Sequence, residues 1–409
     1  MRQTFEGEDW HGAPRLVSDF RVDIRPRRFP IRNIDARTVQ HELTSTGRLD
    51  SLQHEVWTAL TSLASDQQPF MLAGFQARSI SRLVNPPSDS GTIITAGTGS
   101  GKTLAFYLPT ILHIAPKIRA NDFWTKALAV YPRRELLKDQ LTETLRNAMR
   151  IRGTLTANGR RSLIVGAFYG EMPNSPRAGD EELQNKGWRV RREGVVCPIA
   201  RCPDCGDELI WLASDRSQQR ERLVCSNRRC NIEITSETFP LTRKSVQRRP
   251  PDILFTTTET LNQRMSDGRS RRLFGLGQPL NRRPTLMLLD EVHTYAGASG
   301  AQVALLLRRW RRLLGSPVAF IGLSATLEEA PRFFHELCGA SPERTVEIAP
   351  DPEEMTESGA EYQLALRGDP VSQTALLSTS IQAAMLLGRI LDPRGRNLSE
   401  GRFGQRLFI

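Results

Sequence analysis

The sequence lacks any apolar run approaching the ~20 residues that a membrane-spanning helix needs. Its first residues, Met1 to Asp9, hold no apolar stretch of the kind a secretory leader uses. Cysteine is scarce, 6 in 409 residues, which excludes a disulfide scaffold and makes the cytoplasm the expected compartment. Acidic charge falls short of basic: 45 Asp+Glu against 56 Lys+Arg leaves a formal +11. Such a surplus suits a polyanionic partner and equally suits plain solubility. The remaining composition is ordinary for a globular protein, with 39% hydrophobic and 25% charged residues, and excludes wholesale disorder. The length allows two or three domains at roughly 100–200 residues each.

Residues 1–66 read as an accessory arm and helix. Arg21, Arg25, Arg27, Arg28 and Arg32 are interleaved with Pro26 and Pro30, a pattern expected to be irregular basic backbone. Leu52, Val56, Leu60 and Leu63 recur at helical spacing and predict an amphipathic helix over 49–63. Over 67–348, short apolar runs recur at 91–95, 127–131, 162–166, 253–256, 286–290 and 319–323. Helical stretches such as 136–150 and 301–314 alternate with them. This alternation predicts an α/β fold, a parallel sheet with helices on both faces. Residues 177–250 interrupt it, hold five of the six cysteines, and read as an insertion. Residues 349–409 begin acidic, continue as a predicted helix over 372–390, and end on Gln405-Arg-Leu-Phe-Ile409, which reads as the start of a buried strand.

The strongest local signal is Ala96-Gly97-Thr98-Gly99-Ser100-Gly101-Lys102-Thr103. It has the spacing of a phosphate-binding loop, follows an apolar strand and precedes a helix. The glycines let backbone N–H groups and the helix N-terminus close around an anion. Lys102 is placed to reach the β- and γ-phosphates, and the Thr103 hydroxyl to sit on Mg2+. A second apolar strand ends in Asp290-Glu291-Val292-His293. Asp290 is the expected Mg2+ carboxylate and Glu291 the group that orients and deprotonates the attacking water. Together the two segments imply hydrolysis of a nucleoside triphosphate. His293 is read either as structural or as a link from the phosphate site to Ser324-Ala325-Thr326.

Cys202-Pro-Asp-Cys205 and Cys225-Ser-Asn-Arg-Arg-Cys230 form two close pairs, with no histidine nearby. Short spacings at both ends of such a gap suit a four-thiolate Zn2+ site, closed to water and therefore structural. Cys197 is a fifth thiol able to replace one ligand. The loop is polar enough that the metal is expected to supply its folding energy. Trp188 and Trp211 could stack on nucleic acid, pack the module or dock a partner. Cys338 stands alone and is expected to be a small buried apolar residue. In Arg308-Arg-Trp-Arg-Arg312, Trp310 is expected in the core and the arginines on a solvated helix face.

In this order the segments resemble the first RecA-like lobe of superfamily-two helicases of the DEAD/DEAH class. Phe75-Gln76 resembles the adenine-reading glutamine motif, residues 96–103 motif I, and Tyr131-Pro-Arg-Arg-Glu-Leu motif Ia. In motif Ia, Arg133 stands where the family usually has threonine. Thr256-Thr-Thr-Glu-Thr-Leu261 resembles motif Ib, Asp290-Glu-Val-His293 motif II in its DExH form, and Ser324-Ala-Thr326 motif III. The resemblance covers roughly 70–345. It implies ATP through Gln76, a nucleic-acid track along Arg134, Lys138, Thr258 and Glu259, and coupling of hydrolysis to strand movement through Ser324 and Thr326. The run after Asp290 also resembles helicases with a cysteine-rich accessory domain, including repair helicases and the helicase of the DISARM phage-defence system.

The expected function is therefore an ATP-dependent helicase or translocase that uses ATP, Mg2+ and Zn2+. Its partner is nucleic acid, DNA ahead of RNA, without a membrane, in a repair or defence complex. The alternative is a zinc-bearing nucleic-acid or partner-binding subunit in which the nucleotide acts as a switch. Residues 405–409 read as the severed first strand of a second RecA-like lobe. Since that lobe normally contributes an arginine to catalysis, weak hydrolysis by this chain alone is expected.

Overall fold

The computed structural model describes residues 17–62, 69–97, 99–132, 134–325, 327–368 and 376–389. The chain divides into one unit over Phe29–Thr356 and another made of Met1–Arg28 with Glu357–Ile409. Among the described residues no helix is long and apolar enough to cross a membrane.

The strands begin, in chain order, with β1 (Val17–Pro30), β2 (Arg32–Asp35), β3 (Met71–Ala73), β4 (Gly91–Thr95), β5 (Ala127–Tyr131) and β6 (Val165–Phe168). There follow β7 (Arg189–Arg191), β8 (Gly194–Arg201), β9 (Glu208–Leu212), β10 (Arg222–Cys225) and β11 (Glu233–Thr235). The last are β12 (Ile253–Thr257), β13 (Leu286–Leu289), β14 (Ala319–Ser324), β15 (Thr345–Ile348) and β16 (Met355–Gly368). Helices α1 (Ala36–Ser45), α2 (Ser51–Thr61), α3 (Gly74–Leu83), α4 (Lys102–Ile114) and α5 (Arg134–Arg150) are used below.

The large unit is built on a seven-stranded sheet in the order β15-β4-β14-β13-β5-β12-β6, every pairing parallel. All residues of β4, β5, β12, β13 and β14 are buried, as a parallel sheet covered on both faces requires. Each fully buried Ile, Leu, Val or Phe contributes about 1.5–3 kcal/mol relative to exposure. The expected α/β class is therefore the one observed. The predicted strand at 162–166 begins later, at Val165, because the Ile164 amide donates to the Asp252 carboxylate (2.9 Å) instead of to a neighbouring strand. The predicted helix near 49–63 is α2, started by an Asp50–Gln53 capping box. Its Gln53 amide donates to the Leu112 carbonyl of α4 (3.0 Å).

A parallel sheet positions chemistry at the carboxyl ends of its strands, where the chain leaves toward the helices. Here β4, β14, β13 and β5 lie side by side. The phosphate loop, Ser324, Asp290-Glu291 and Pro132 therefore leave from neighbouring strand ends.

Between β6 and β12 the chain builds a separate five-stranded antiparallel sheet, order β11-β10-β9-β8-β7. This corrects the expectation that the insertion lacks a core. Val195, Leu209, Trp211, Leu223 and Ile234 are buried, and Trp188 lies against Trp211 with ring centroids 6.0 Å apart. The indole N–H groups donate to Glu171 and Arg220 carbonyls, so both tryptophans are core residues and neither offers a stacking platform.

The basic arm is also corrected. Expected to be irregular, it is strand β1, paired with β16. In a two-stranded ribbon each strand has one edge outside the ladder, which accommodates Pro26. Arg28 meets Glu357 of β16 at 2.9 Å. The predicted 372–390 helix is described over Leu376–Gly388, and residues 405–409 lie outside the described residues.

Candidate nucleotide site and metal centre

β4 delivers the chain into the phosphate loop, where the Ala96 amide donates to the Ser324 carbonyl (3.3 Å) and so ties loop to β14. Gly97 O accepts both the Ser100 amide (3.4 Å) and the Ser100 hydroxyl (2.7 Å). Gly99 and Gly101 have φ of 78° and 84°, a region open to glycine at little cost. A Cβ on Gly101 would stand 2.7 Å from Gln76 Nε2 and 3.0 Å from Arg32 Nη2. Thr98 lies outside the described residues.

Gln76 is buried behind this loop. Its Oε1 accepts the Ala73 amide (2.9 Å) and its Nε2 donates to Gly101 O (3.0 Å). The side chain thus fastens the first turn of α3 to the last residue of the loop. Lys102 Nζ donates to Ser324 O at 3.1 Å. Burial lowers the Lys102 pKa, and the charges of Glu291 and Asp290 offset part of that shift. Thr103 Oγ1 accepts a long contact from Gln140 Nε2 (3.4 Å), which connects the loop to α5.

Asp290 follows the last residue of β13 and is buried. Burial pushes its pKa up to about 6; the Glu291 amide, donating at 2.8 Å, and Lys102 oppose the shift, while the Glu291 charge adds to it. Glu291 itself has φ 48°, a left-handed backbone that a non-glycine residue adopts at a cost of order 1–3 kcal/mol. His293 Nδ1 lies 3.4 Å from Glu291 Oε2 and 3.4 Å from Ser324 Oγ. The histidine therefore lies between the Glu291 carboxylate and the Ser324 hydroxyl at the end of β14. Thr326, expected to share a coupling role, lies outside the described residues.

The donor set fits a magnesium nucleotide. Two left-handed glycines, an ammonium and a helix N-terminus suit the phosphates, and a hydroxyl and a buried carboxylate are the hard oxygen ligands that Mg2+ takes. Tyr295, which no spacing rule singled out, is buried with its hydroxyl unpartnered, and the charge of Asp290 raises its pKa after burial. Arg32 was missed for the same reason, since it comes from β2, far upstream of the loop it abuts.

Cys202, Cys205, Cys225 and Cys230 come together, with all four Sγ atoms within 4.8 Å of one another. Cys202 and Cys230 are 3.6 Å apart, and Cys205 and Cys225 3.4 Å. Sulfurs at ~2.3 Å from a tetrahedral zinc ion stand at about these separations, so the residues fit the metal. Cys197 is buried outside this cluster and burial raises its thiol pKa, so it is not a fifth ligand here. Cys338 is fully buried, as expected, and Trp310 is core, donating to Phe274 O (3.0 Å).

The expected strand contacts separate into two places. Thr258 and Glu259 open the helix that follows β12 and line a cavity of about 510 Å³ with Pro132, Gln263, Arg264 and Arg243. Arg243, from the helix Arg243–Arg248 after the inserted sheet, was not anticipated. Lys138 does not line this cavity; it sits on α5 beside β8. The side chain of Arg134 lies outside the described residues.

A phosphate loop at the end of one strand and an Asp-Glu pair two strands away define a P-loop nucleotide-binding lobe. The chain belongs to the DEAD/DEAH box helicases: that family's model matches residues 74–167 and 209–333, more than half of the chain. It is 27% identical over 297 residues to Druantia protein DruE of Escherichia coli strain UMEA 4076-1, covering 62% of this chain and 16% of that protein. It is 36% identical over 120 residues to the Lhr helicase/uracil glycosylase of Escherichia coli K12, covering 29% of this chain and 7% of that protein. Among solved structures it is similar to Mycobacterium smegmatis helicase Lhr bound to ssDNA and AMP-PNP, with 24% identity, TM-score 0.44, 75% of this chain and 28% of that one. The chain thus spans under a fifth of the length of these curated relatives.

Proposed function

We propose that this chain is the ATP-binding lobe of an ATP-dependent nucleic-acid helicase or translocase. The observation that carries the reading is the bridge from Glu291 through His293 to Ser324, adjoining a phosphate loop tied to the same Ser324 carbonyl. A nucleotide-storage site has no need of a carboxylate linked to a neighbouring strand end.

When bound, Mg2+·ATP supplies the phosphoryl group and the divalent charge. Lys102 and the backbone N–H groups of Gly99 to Thr103 hold the phosphates, and Thr103 and Asp290 hold the metal. Gln76, expected to read adenine, is instead buried with its amide engaged by the Ala73 N–H and Gly101 O, and in this reading it keeps the loop in shape. Glu291 accepts the proton of the attacking water. His293 and Ser324 pass the change in charge at Glu291 to the end of β14; the Thr258–Glu259 cavity opens off β12, three strands along the sheet. Hydrolysis by this chain alone is slow in this reading. The four-thiolate cluster would hold structural Zn2+, which suits a reducing compartment, and a cytoplasmic location is assigned in this reading. DNA is assigned ahead of RNA, and a repair or phage-defence complex is the assigned setting.

The test is strand affinity measured by fluorescence anisotropy with a non-hydrolysable ATP analogue and with ADP, on single-stranded DNA and RNA. A motor lobe binds its strand with affinities that differ between the two nucleotides, and Lys102→Ala removes the difference. Equal affinity in both nucleotide states contradicts the reading, and tighter RNA binding reverses the choice of polymer.

A further inference from the structure

The inserted module carries charge that neither the zinc centre nor the nucleotide site uses. On α5, Lys138, Thr142 and Arg146 are spaced four residues apart and share one face. That face lies along the module. The Thr142 hydroxyl accepts the Arg201 amide of β8 (3.0 Å), and Arg146 donates to the carbonyl of Pro203, between Cys202 and Cys205. Lys138, one turn before Thr142, is thereby placed beside the module, and Arg201 and Arg189 are close enough to lower its pKa after burial does.

Arg201 faces Glu208 across the β8–β9 register. Arg189 and Arg191 reach the same carboxylate from the edge strand β7, the latter at 2.5 Å, with Arg201 at 3.8 Å. One acid thus serves three guanidiniums, whose side chains are 64%, 42% and 43% exposed in the order 189, 191, 201, while Glu208 is 20% exposed. With Lys138 the strip holds four cations and Glu208, and the acidic groups acting on Lys138 are the Cys197 thiol and Asp139. Exposed ion pairs of this kind contribute little to stability, about 0–1 kcal/mol, so folding does not explain three arginines on one glutamate. A cluster of exposed guanidiniums gathered around a single acid is suited to phosphates.

We propose that Lys138, Arg189, Arg191 and Arg201 form a second phosphodiester-binding surface, which carries a nucleic-acid strand from the helicase lobe onto the inserted module. The partner is a nucleic-acid backbone because the strip begins on α5, the helix that follows motif Ia. The inference rests on the strand-binding function proposed above. It gives the insertion a role in binding that is independent of sequence, since phosphate contacts position a strand without reading bases.

The experiment measures binding of the whole chain to labelled oligo(dT) as a function of salt, with Arg189→Ala/Arg191→Ala and Glu208→Gln as separate variants and circular dichroism to confirm folding. Two lost phosphate contacts lower the slope of log K against log salt by about 1.4, at ~0.7 per contact on a single strand. Glu208→Gln removes the opposing charge and tightens binding, an outcome that loss of a structural ion pair does not produce. Wild-type binding with unchanged slope in the double variant, or no tightening in Glu208→Gln, overturns the inference and leaves the lobe's own strand binding intact. No oligo(dT) binding by wild type overturns both. Unchanged DNA binding with loss of poly-L-glutamate binding gives the strip to an acidic protein and overturns it as well.

Discussion

At the scale of single residues, the site places an acid and a base in opposed environments. Asp290 is buried and Glu291 is half-exposed on a strained left-handed backbone. The Asp290 pKa of about 6 lies above its usual 3.8, so protons compete with Mg2+ for this carboxylate below about pH 6. Titration of Mg2+-dependent nucleotide binding between pH 5 and 8 is expected to show affinity falling as pH drops through 6. Asp290→Asn is expected to bind weakly and to show no such inflection. An inflection that survives in Asp290→Asn removes the assignment of Asp290 as the metal ligand. Residues of this kind were legible because the loop and the Asp-Glu pair are contiguous in sequence, and their chemistry fixes their order. Arg32, Tyr295 and Arg243 were not, because the fold brings them to the site from segments with no spacing signature.

At the scale of elements, two devices hold the lobe together. Beneath the sheet, Asp252 is fully buried between Lys126 (2.7 Å), from the residue before β5, and Arg161 (2.6 Å), and it also accepts the Ile164 amide. These cations keep the Asp252 pKa low against a burial penalty that is the largest single influence. Removing the acid leaves two uncompensated cations, one of them fully buried, so Asp252→Ala is expected to destabilise by about 3–5 kcal/mol in urea unfolding. Lys126→Met combined with Asp252→Leu is expected to recover part of that loss, and a single variant that unfolds like wild type contradicts the account. This triad was invisible in the sequence, since Lys126 and Asp252 lie 126 residues apart. The second device is the cysteine cluster, which was legible from spacing alone. Its setting was not, because a polar composition concealed a core built on Trp188 and Trp211. Cys225→Ser is expected to remove bound zinc, measured by elemental analysis, and to open the 202–230 loops to protease while the seven-stranded lobe stays folded. A cooperative loss of the whole fold would show that the module's own core does not carry it. The basic arm was misread for a related reason: Pro26 and Pro30 argue against a central strand, but a two-stranded ribbon has no central position.

At the scale of the whole molecule, the parallel sheet could be read from its short apolar runs, and the order of motifs along the chain agrees with the strand ends they occupy. The sequence left His293 between two readings, structural or a link to Ser324; the structure adds the distances, 3.4 Å to Glu291 and 3.4 Å to Ser324, on which the proposed transmission rests. The formal charge of +11 also gains a location, since part of it is concentrated where the inserted sheet meets α5. The central claim is that this lobe hydrolyses ATP through Glu291 in response to a strand. The most direct measurement is single-turnover phosphate release by the chain, with and without single-stranded DNA, for wild type and Glu291→Gln at matched ATP occupancy. The account predicts slow release that DNA accelerates, and at least a ~100-fold loss in Glu291→Gln with ATP binding retained. Release by Glu291→Gln at the wild-type rate, or a wild-type rate indifferent to DNA, would contradict it.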